Sequence, residues 1–200
     1  MIRLVNQKPK VRCRGLSLIE LLISLAITAV LLTATMLAIN ASFKAYGDAV
    51  EQASAHTTTR MVTQRLLALI RTSTAHGPLM PDTSVNPPVT LSGNTITSSF
   101  IELLDPNGDV IRTEYRAGDQ ELWIVVNAGA ENEVAQPLLD RVSSCQFLAN
   151  RRLNDQGLWV LNRGSIDLTV QPVSDGTLAI ENGAATPIRV VASTMPRKIH

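Results

Sequence analysis

The sequence contains little cysteine, few aromatic residues and few charges. It has two cysteines in 200 residues, 4% aromatic residues and 18% charged residues. If the segment that holds Cys13 is removed, Cys145 is left alone and cannot close an intramolecular disulfide. A disulfide-rich scaffold is therefore excluded, and the chain, which is long enough for one buried core, must be stabilised by packing.

The motifs of the common enzyme classes are also missing. The sequence has no Gly-x-Ser-x-Gly, no Walker loop, no His-Glu-x-x-His and no paired cysteine motif. Of its three histidines, His56 and His76 fall on a predicted helix and His200 is the last residue. Because no catalytic set comes together, we expect no enzymatic activity, no cofactor and no metal site.

Charge is distributed unevenly along the chain. Lys plus Arg is 18 and Asp plus Glu is 17, so the net charge is +1, a balance that predicts no nucleic-acid partner. The first 14 residues hold no acid and five of the basic residues, which are Arg3, Lys8, Lys10, Arg12 and Arg14. The other 186 residues carry 13 basic and 17 acidic side chains, a net charge of −4.

A long apolar segment follows this basic leader. Residues 16–43 carry one charge, Glu20, and contain neither Gly nor Pro. As a helix, the uncharged part would span about 34 Å, enough to cross a hydrocarbon core of about 30 Å. The leader's positive charge predicts a cytoplasmic N-terminus, with the rest of the chain on the other side of the membrane. A secretory signal peptide is the alternative, but its apolar core is shorter, at about 7 to 15 residues.

Glu20 is out of place in this segment, because a carboxylate at mid-bilayer costs about 2.5 to 3.5 kcal/mol and less near the interface. It could lie shallow enough to reach lipid headgroups, or be protonated. Its neighbourhood suggests a third explanation, since the residues around it read Arg14-Gly15-Leu16-Ser17-Leu18-Ile19-Glu20. This stretch resembles the class III signal of type IV pilins and type II secretion pseudopilins.

The resemblance implies processing. In that family a prepilin peptidase cuts after the glycine, methylates the new N-terminus and leaves a glutamate at the fifth mature position. Here the cut would follow Gly15, Leu16 would be the first mature residue, and Glu20 would be the fifth. The family usually has Phe where this chain has Leu16. Many major pilins also have a helix-breaking proline near the position of Leu37. This chain has no proline there, and its absence favours a minor subunit.

Cleavage would give Glu20 a counter-ion, because it creates an α-amino group that is positively charged at neutral pH. Within one helix, the amine and Glu20 lie about 6 Å apart along the axis. In an assembly, the amine of an incoming subunit could pair with Glu20 of its neighbour, gaining about 4 kcal/mol at about 4 Å before desolvation. Glu20 would then set the axial register of assembly.

Beyond residue 43 the helical pattern becomes amphipathic. Val62, Leu66, Leu69 and Ile70 share one face, Gly47 is a weak point, and His76-Gly77-Pro78 predicts the end of the helix. We therefore expect a leader at 1–15, a transmembrane half-helix at 16–43, an amphipathic half-helix at 44–76 and a periplasmic β-rich domain at 77–200. The fold class is α+β and pilin-like, with the helix packed on antiparallel sheet.

The C-terminal part shows strand patterns after a predicted surface loop at 77–95. A three-stranded meander is predicted at 99–104, 110–116 and 121–126, and further strands at 137–148, 157–161, 165–172 and 187–192. The order of these elements is similar to that of minor pseudopilins and minor pilins of the J and W sort. We expect Trp123, Trp159 and Cys145 in the core, and a β-turn rather than a calcium loop at Asp105-Pro106-Asn107-Gly108.

The leading hypothesis is a structural, non-enzymatic filament subunit. Its expected partners are other pilin or pseudopilin subunits, the prepilin peptidase and methyltransferase, and the inner-membrane assembly platform. Pilus, secretion and competence systems all use such subunits, and the sequence leaves that choice open. A singly anchored periplasmic binding or sensor domain is the alternative, and an anchored hydrolase is a third hypothesis.

Overall fold

The computed structural model describes residues 17–171 and 186–197. Within them, one helix, α1 at Leu18–Thr72, precedes ten strands. The chain divides into two compact units, Met1–Gly47 and Asp48–His200. The predictions for Gly15 and Leu16 lie outside the described residues.

The first part of α1 is suited to a membrane. An 18-residue window in this helix has a mean hydropathy of 2.4, and by length and composition the helix can cross a bilayer. Backbone hydrogen bonds inside the helix satisfy its own polar groups, as lipid requires. The five hydroxyl side chains of the span also donate to carbonyls three or four residues earlier, and these are Ser24, Thr28, Thr33, Thr35 and Ser42. Their polarity is thus compatible with an apolar surrounding.

The second part of α1 packs on the sheets through one face. Thr59, Thr63, Leu66 and Ile70 are its buried residues, and their spacing of three or four places them on one side of the helix. Val62 and Leu69 pack beside them, partly buried. The predicted apolar stripe is confirmed. Towards the start of the unit it continues through threonines, whose hydroxyls bond to the preceding helical turn.

The helix ends at Thr72, slightly earlier than the His76-Gly77-Pro78 signal indicated. Its last carbonyls find partners outside the helix: Ser73 donates to the carbonyl of Leu69, and the Nε2 of His76 donates to that of Ile70 at 2.7 Å. The backbone N–H of Arg197 donates to the carbonyl of Arg71. These contacts satisfy groups that a helix end leaves free, and they let residues 75–77 form a strand instead of a further turn.

The ten strands form two five-stranded antiparallel sheets, with orders β1-β4-β5-β6-β7 and β10-β9-β8-β3-β2. The strands are β1 Ala75–Gly77, β2 Thr90–Ser92, β3 Thr95–Ser98, β4 Phe100–Leu104, β5 Val110–Arg116, β6 Glu121–Val126, β7 Val134–Leu139, β8 Val142–Leu153, β9 Trp159–Val170 and β10 Ile188–Thr194. The α+β, pilin-like architecture is thus confirmed, with a long apolar N-terminal helix packed on antiparallel sheets.

The predicted meander is confirmed as β4, β5 and β6, with β1 and β7 added at its edges. Two predictions were wrong. The loop expected at 77–95 contains β2 and the start of β3, and its Val89 is buried at 1% exposure. The two short strands expected between 157 and 172 are one strand, β9, because it pairs with β8 along its whole length.

The tryptophans do not lie in the core, contrary to expectation. Leu122, Ile124 and Val125 are the buried residues of β6, and strand alternation puts Trp123 on the face opposite Leu122 and Ile124. There the guanidinium of Arg116 lies 4.2 Å from its ring centre. Trp159 is half-buried and carries Arg151 over its ring at 4.0 Å. Cation–π contact lets each ring be partly covered without entering the apolar core.

Gly164 of β9 lies directly against the Ile70 side chain of α1. A Cβ at this position would lie 2.9 Å from the Cγ2 of Ile70, which is itself completely buried. We expect Gly164→Ala to destabilise the protein by about 1 to 3 kcal/mol, because the core would be overpacked. Urea unfolding of the full chain in detergent measures this.

Gly118→Ala is the matched control, because nothing lies within 4 Å of a Cβ there and its φ is not positive. Its free energy of unfolding should match that of the wild type within about 0.5 kcal/mol. Equal midpoints for both variants would contradict the close helix–strand contact.

Candidate assembly site at the start of the helix

Glu20 lies in the first turn of α1 and is held there by the backbone. Its Oε2 accepts a hydrogen bond from the N–H of Ser17 at 2.9 Å. The carbonyl of Ser17 accepts the first intrahelical bond, from the N–H of Leu21. Ser17 is therefore the N-cap residue, and Glu20, at position N3, reaches back to its N–H as the glutamate of a capping box does.

This contact reduces the cost of a carboxylate in an apolar segment. The N-terminus of a helix carries a partial positive charge, which favours an acidic side chain in its first turn. The pair Ser17-x-x-Glu20 is the signal for this contact in the sequence. Glu20 thus has a partner within its own helix, in addition to the headgroups, the proton or the amine considered above.

The predicted processing residues border this turn. Leu16 immediately precedes Ser17, and Gly15 precedes Leu16. An amine created on Leu16 would therefore be one residue away from the N–H group that Glu20 already accepts from. The described structure places Glu20 at the helix start, and covalent connectivity puts the expected cut beside it.

Around Glu20 the surface is apolar on every side of the helix. Its large side chains are more than half exposed, among them Leu18, Ile19, Leu21, Leu22 and Ile23. A soluble monomer rarely exposes an apolar patch of this extent. Lipid or other apolar helices must cover this surface, so the site is suited to packing and charge pairing rather than to bond chemistry.

Other candidate reactive groups are engaged elsewhere. The ring of His76 bonds to the Ile70 carbonyl, and burial lowers its pKa. Asp105 uses its carboxylate inside its own turn, where it accepts from the N–H groups of Asn107 and Asp109. The hydrogen bond from the Asp109 N–H contributes most to lowering the pKa of Asp105. The β-turn prediction is confirmed, and the described residues contain no group of three or more potential metal ligands.

Cys145 is a buried core residue, as expected from its place in a strand. Desolvation, with a smaller contribution from the charge of Asp167, raises the pKa of its thiol to about 12. Because the thiolate is the reactive form and appears only near that pH, we expect the folded protein to resist maleimide at pH 8. Mass spectrometry of the labelled chain measures this in a Cys13→Ser background.

Ser144→Cys in the same background provides the accessible control, because Ser144 is the exposed neighbour on β8. It should be labelled in the folded protein, whereas Cys145 should be labelled only after unfolding. Rapid labelling of Cys145 in the native protein would contradict its burial.

Comparison with known families gives a match at the N-terminal end of the chain. Residues 10–36 match the family model described as the prokaryotic N-terminal methylation motif. The match includes Gly15, Leu16 and Glu20 and the first part of α1, while the β-rich domain lies outside it. No curated protein matches the chain at a significant level.

Proposed function

We propose that this chain is a structural subunit of a type IV pilus or type II secretion filament. Its N-terminal methylation motif and its long apolar helix support the type IV pilin and pseudopilin family. The motif implies processing by a prepilin peptidase and assembly with other pilins. The observation that carries the proposal is the position of Glu20 in the first turn of a membrane-length helix, inside the matched segment.

Anchoring in the inner membrane precedes assembly. The apolar part of α1 is long enough to span a bilayer, and the basic leader favours retention of the N-terminus in the cytoplasm. The β-rich domain would then lie in the periplasm. Cleavage after Gly15 removes the five basic residues that hold the leader in the cytoplasm, so the helix can later leave the bilayer.

Glu20 acts by exchanging hydrogen-bond partners. In the single chain its carboxylate accepts from the Ser17 N–H. In the filament it pairs with the Leu16 amine of a neighbouring subunit, so two charges that are costly in an apolar layer neutralise one another. The ammonium–carboxylate pair adds the attraction between two full charges to the hydrogen bond, whereas the Ser17 N–H offers only a dipole, and this difference favours the exchange. Apolar side chains match at many axial offsets, but only one offset lets the charges meet.

We assign the chain to the minor subunits. No proline interrupts α1 between Leu18 and Thr72, so the helix lacks the weak point near Leu37 that many major pilins carry. We also propose that the subunit has no enzymatic activity. In the described residues, His76 caps the helix and Cys145 is buried with a raised thiol pKa. Neither is available as a base or a nucleophile.

The intact mass and N-terminal sequence of the chain, recovered from membranes of cells that make the prepilin peptidase, test the proposal. We expect a chain that begins at Leu16 and carries an N-methyl group. A chain that still begins at Met1 would refute the assignment and favour the singly anchored binding or sensor domain. A chain that begins at Leu16 without the methyl group would retain the filament assignment and limit the role of the methyltransferase.

A further inference from the structure

A groove with both polar and apolar walls opens on the globular unit where α1 ends. It has a volume of about 720 Å³, and its walls come from the segment after the helix, from β8 and β9, and from the chain after β10. We call it the Arg152–Arg197 groove. Its walls include Leu79, Arg152, Trp159, Asn162 and Arg197. None of the described residues that line it carries a carboxylate.

The two arginines at the groove are exposed and make no ion pair with a described residue. In contrast, four arginines elsewhere in the domain each contact a carboxylate, and these are Arg112, Arg116, Arg141 and Arg189. Arg71 is also exposed, and its backbone carbonyl accepts the N–H of Arg197, so its main chain lies next to Arg197. Positive charge thus collects at one place without a counter-ion among the described residues.

Arg151 places another cation directly behind the groove wall. It is 6% exposed, its Nη1 donates to the carbonyl of Leu79 at 2.6 Å, and its guanidinium lies over the ring of Trp159. Its Nε is buried without a hydrogen-bond partner in the described structure. A buried charge is normally paired, and here the nearest compensation is an aromatic face and a carbonyl dipole.

We infer that the Arg152–Arg197 groove binds a carboxylate-bearing segment of a different pilin-like subunit beside it in the filament. This inference rests on the proposed function and adds to it a surface and a partner chemistry. Guanidinium groups recognise carboxylates through paired hydrogen bonds. An approaching carboxylate would also offset the charge of Arg151, which lies behind Leu79 and Trp159.

The walls and the net charge favour a protein segment over a nucleic acid. Leu79, Trp159 and Val160 give the groove apolar walls between its cations, which suits a peptide with both carboxylates and apolar side chains. Nucleic-acid surfaces instead show a stripe or face of clustered cations. The chain after the leader has a net charge of −4, which would repel a long polyanion.

The test uses the full chain in cells that assemble the filament, with a benzoylphenylalanine photo-cross-linker at Asn162 in the groove. A second chain carries the cross-linker at Gln146, which is exposed on β8 outside the groove. Each is made with native arginines, with Arg152→Glu and Arg197→Glu, or with Arg65→Glu and Arg163→Glu. The last pair is the matched control, because both are exposed, lie outside the groove and change the net charge equally.

We expect an Asn162 adduct whose cross-linked peptide is acidic and belongs to another pilin-like subunit. The yield of this adduct should fall at least about tenfold with the groove reversals and stay unchanged with the control pair. The reason is that hydrogen bonds to charged groups contribute strongly to binding affinity, and the reversals remove them. Arg152→Gln with Arg197→Gln, checked by urea unfolding, should give the same loss without charge reversal. No such adduct should form from Gln146.

The inference is overturned by an adduct to a second copy of this chain, to nucleic acid or only to lipid, or by a yield that the groove reversals do not change. Intact mass from the same cells separates this failure from that of the proposed function. A chain cut at Leu16 that forms no groove adduct refutes the docking surface alone. An uncut chain refutes the filament assignment and this inference with it.

Discussion

Gly15→Val protein is expected to accumulate in the membrane at its full length, with no chain beginning at Leu16. We expect this because a peptidase site that accepts the glycine before the proposed cut would have no room for a branched side chain. A single added methylene in a fitted pocket changes specificity about 10- to 200-fold, so valine should reduce cleavage at least that far. Immunoblotting shows the loss as a missing mobility shift of 15 residues.

Membrane insertion should not change in this variant, because residues 16–43 carry the apolar segment. Cys13→Ser provides the control within the same leader and should be cut normally. If Gly15→Val were processed as efficiently as the control, the cut would lie elsewhere, and the position of Glu20 relative to the new amine would lose its meaning.

Glu20→Ala is expected to insert in the membrane and to be cleaved, but to enter filaments at least about tenfold less than wild type. Removing one partner of a poorly solvated ion pair costs about 3 to 5 kcal/mol, and about 1.4 kcal/mol corresponds to a tenfold change. Quantitative blotting of sheared filaments against the membrane fraction measures the effect.

Glu20→Gln separates the capping contact that the structure shows from the charge pairing that we propose. Glutamine at helix position N3 can still accept a hydrogen bond from the Ser17 N–H. It has no charge, however, for an amine to pair with. If charge pairing drives assembly, Gln should be as defective as Ala. If the variant with Gln assembled normally, capping would be the only role of Glu20 and the register argument would fail. Glu131→Ala, at an exposed site in the β6–β7 loop, should assemble like wild type.

Local patterns predicted the elements that depend on neighbouring residues. The apolar face around Leu66 and Ile70, the meander and the turn at Asp105 depend on short-range periodicity or turn chemistry, and all are found in the structure. The capping contact of Glu20 was equally local and could have been predicted from Ser17-x-x-Glu20. The motif around Gly15 is also linear, so a family model can recognise it without the rest of the chain.

The predictions for Val89 and Trp159 failed because they depend on distant partners. Residues 90–98 have the composition of a loop, and their strands form because β8 supplies a partner for β3. The polar composition of so short a hairpin does not predict this pairing. Trp159 has a β-prone, aromatic surrounding that is typical of core, yet Arg151 on the neighbouring strand covers its ring. Side-chain periodicity indicates that the two faces of a strand differ in polarity. It does not indicate which residues from other elements each face contacts.

The sequence by itself determined the long apolar segment, the basic leader, the methylation motif around Gly15 and the α+β class, because each depends on residue types in a continuous stretch. Only the tertiary structure decided where α1 ends, how the ten strands share two sheets, and that Arg152 and Arg197 border one groove with Arg151 behind it. Those features arise from contacts between residues tens of positions apart. Their formation depends on which long-range pairs bury surface and satisfy hydrogen bonds together.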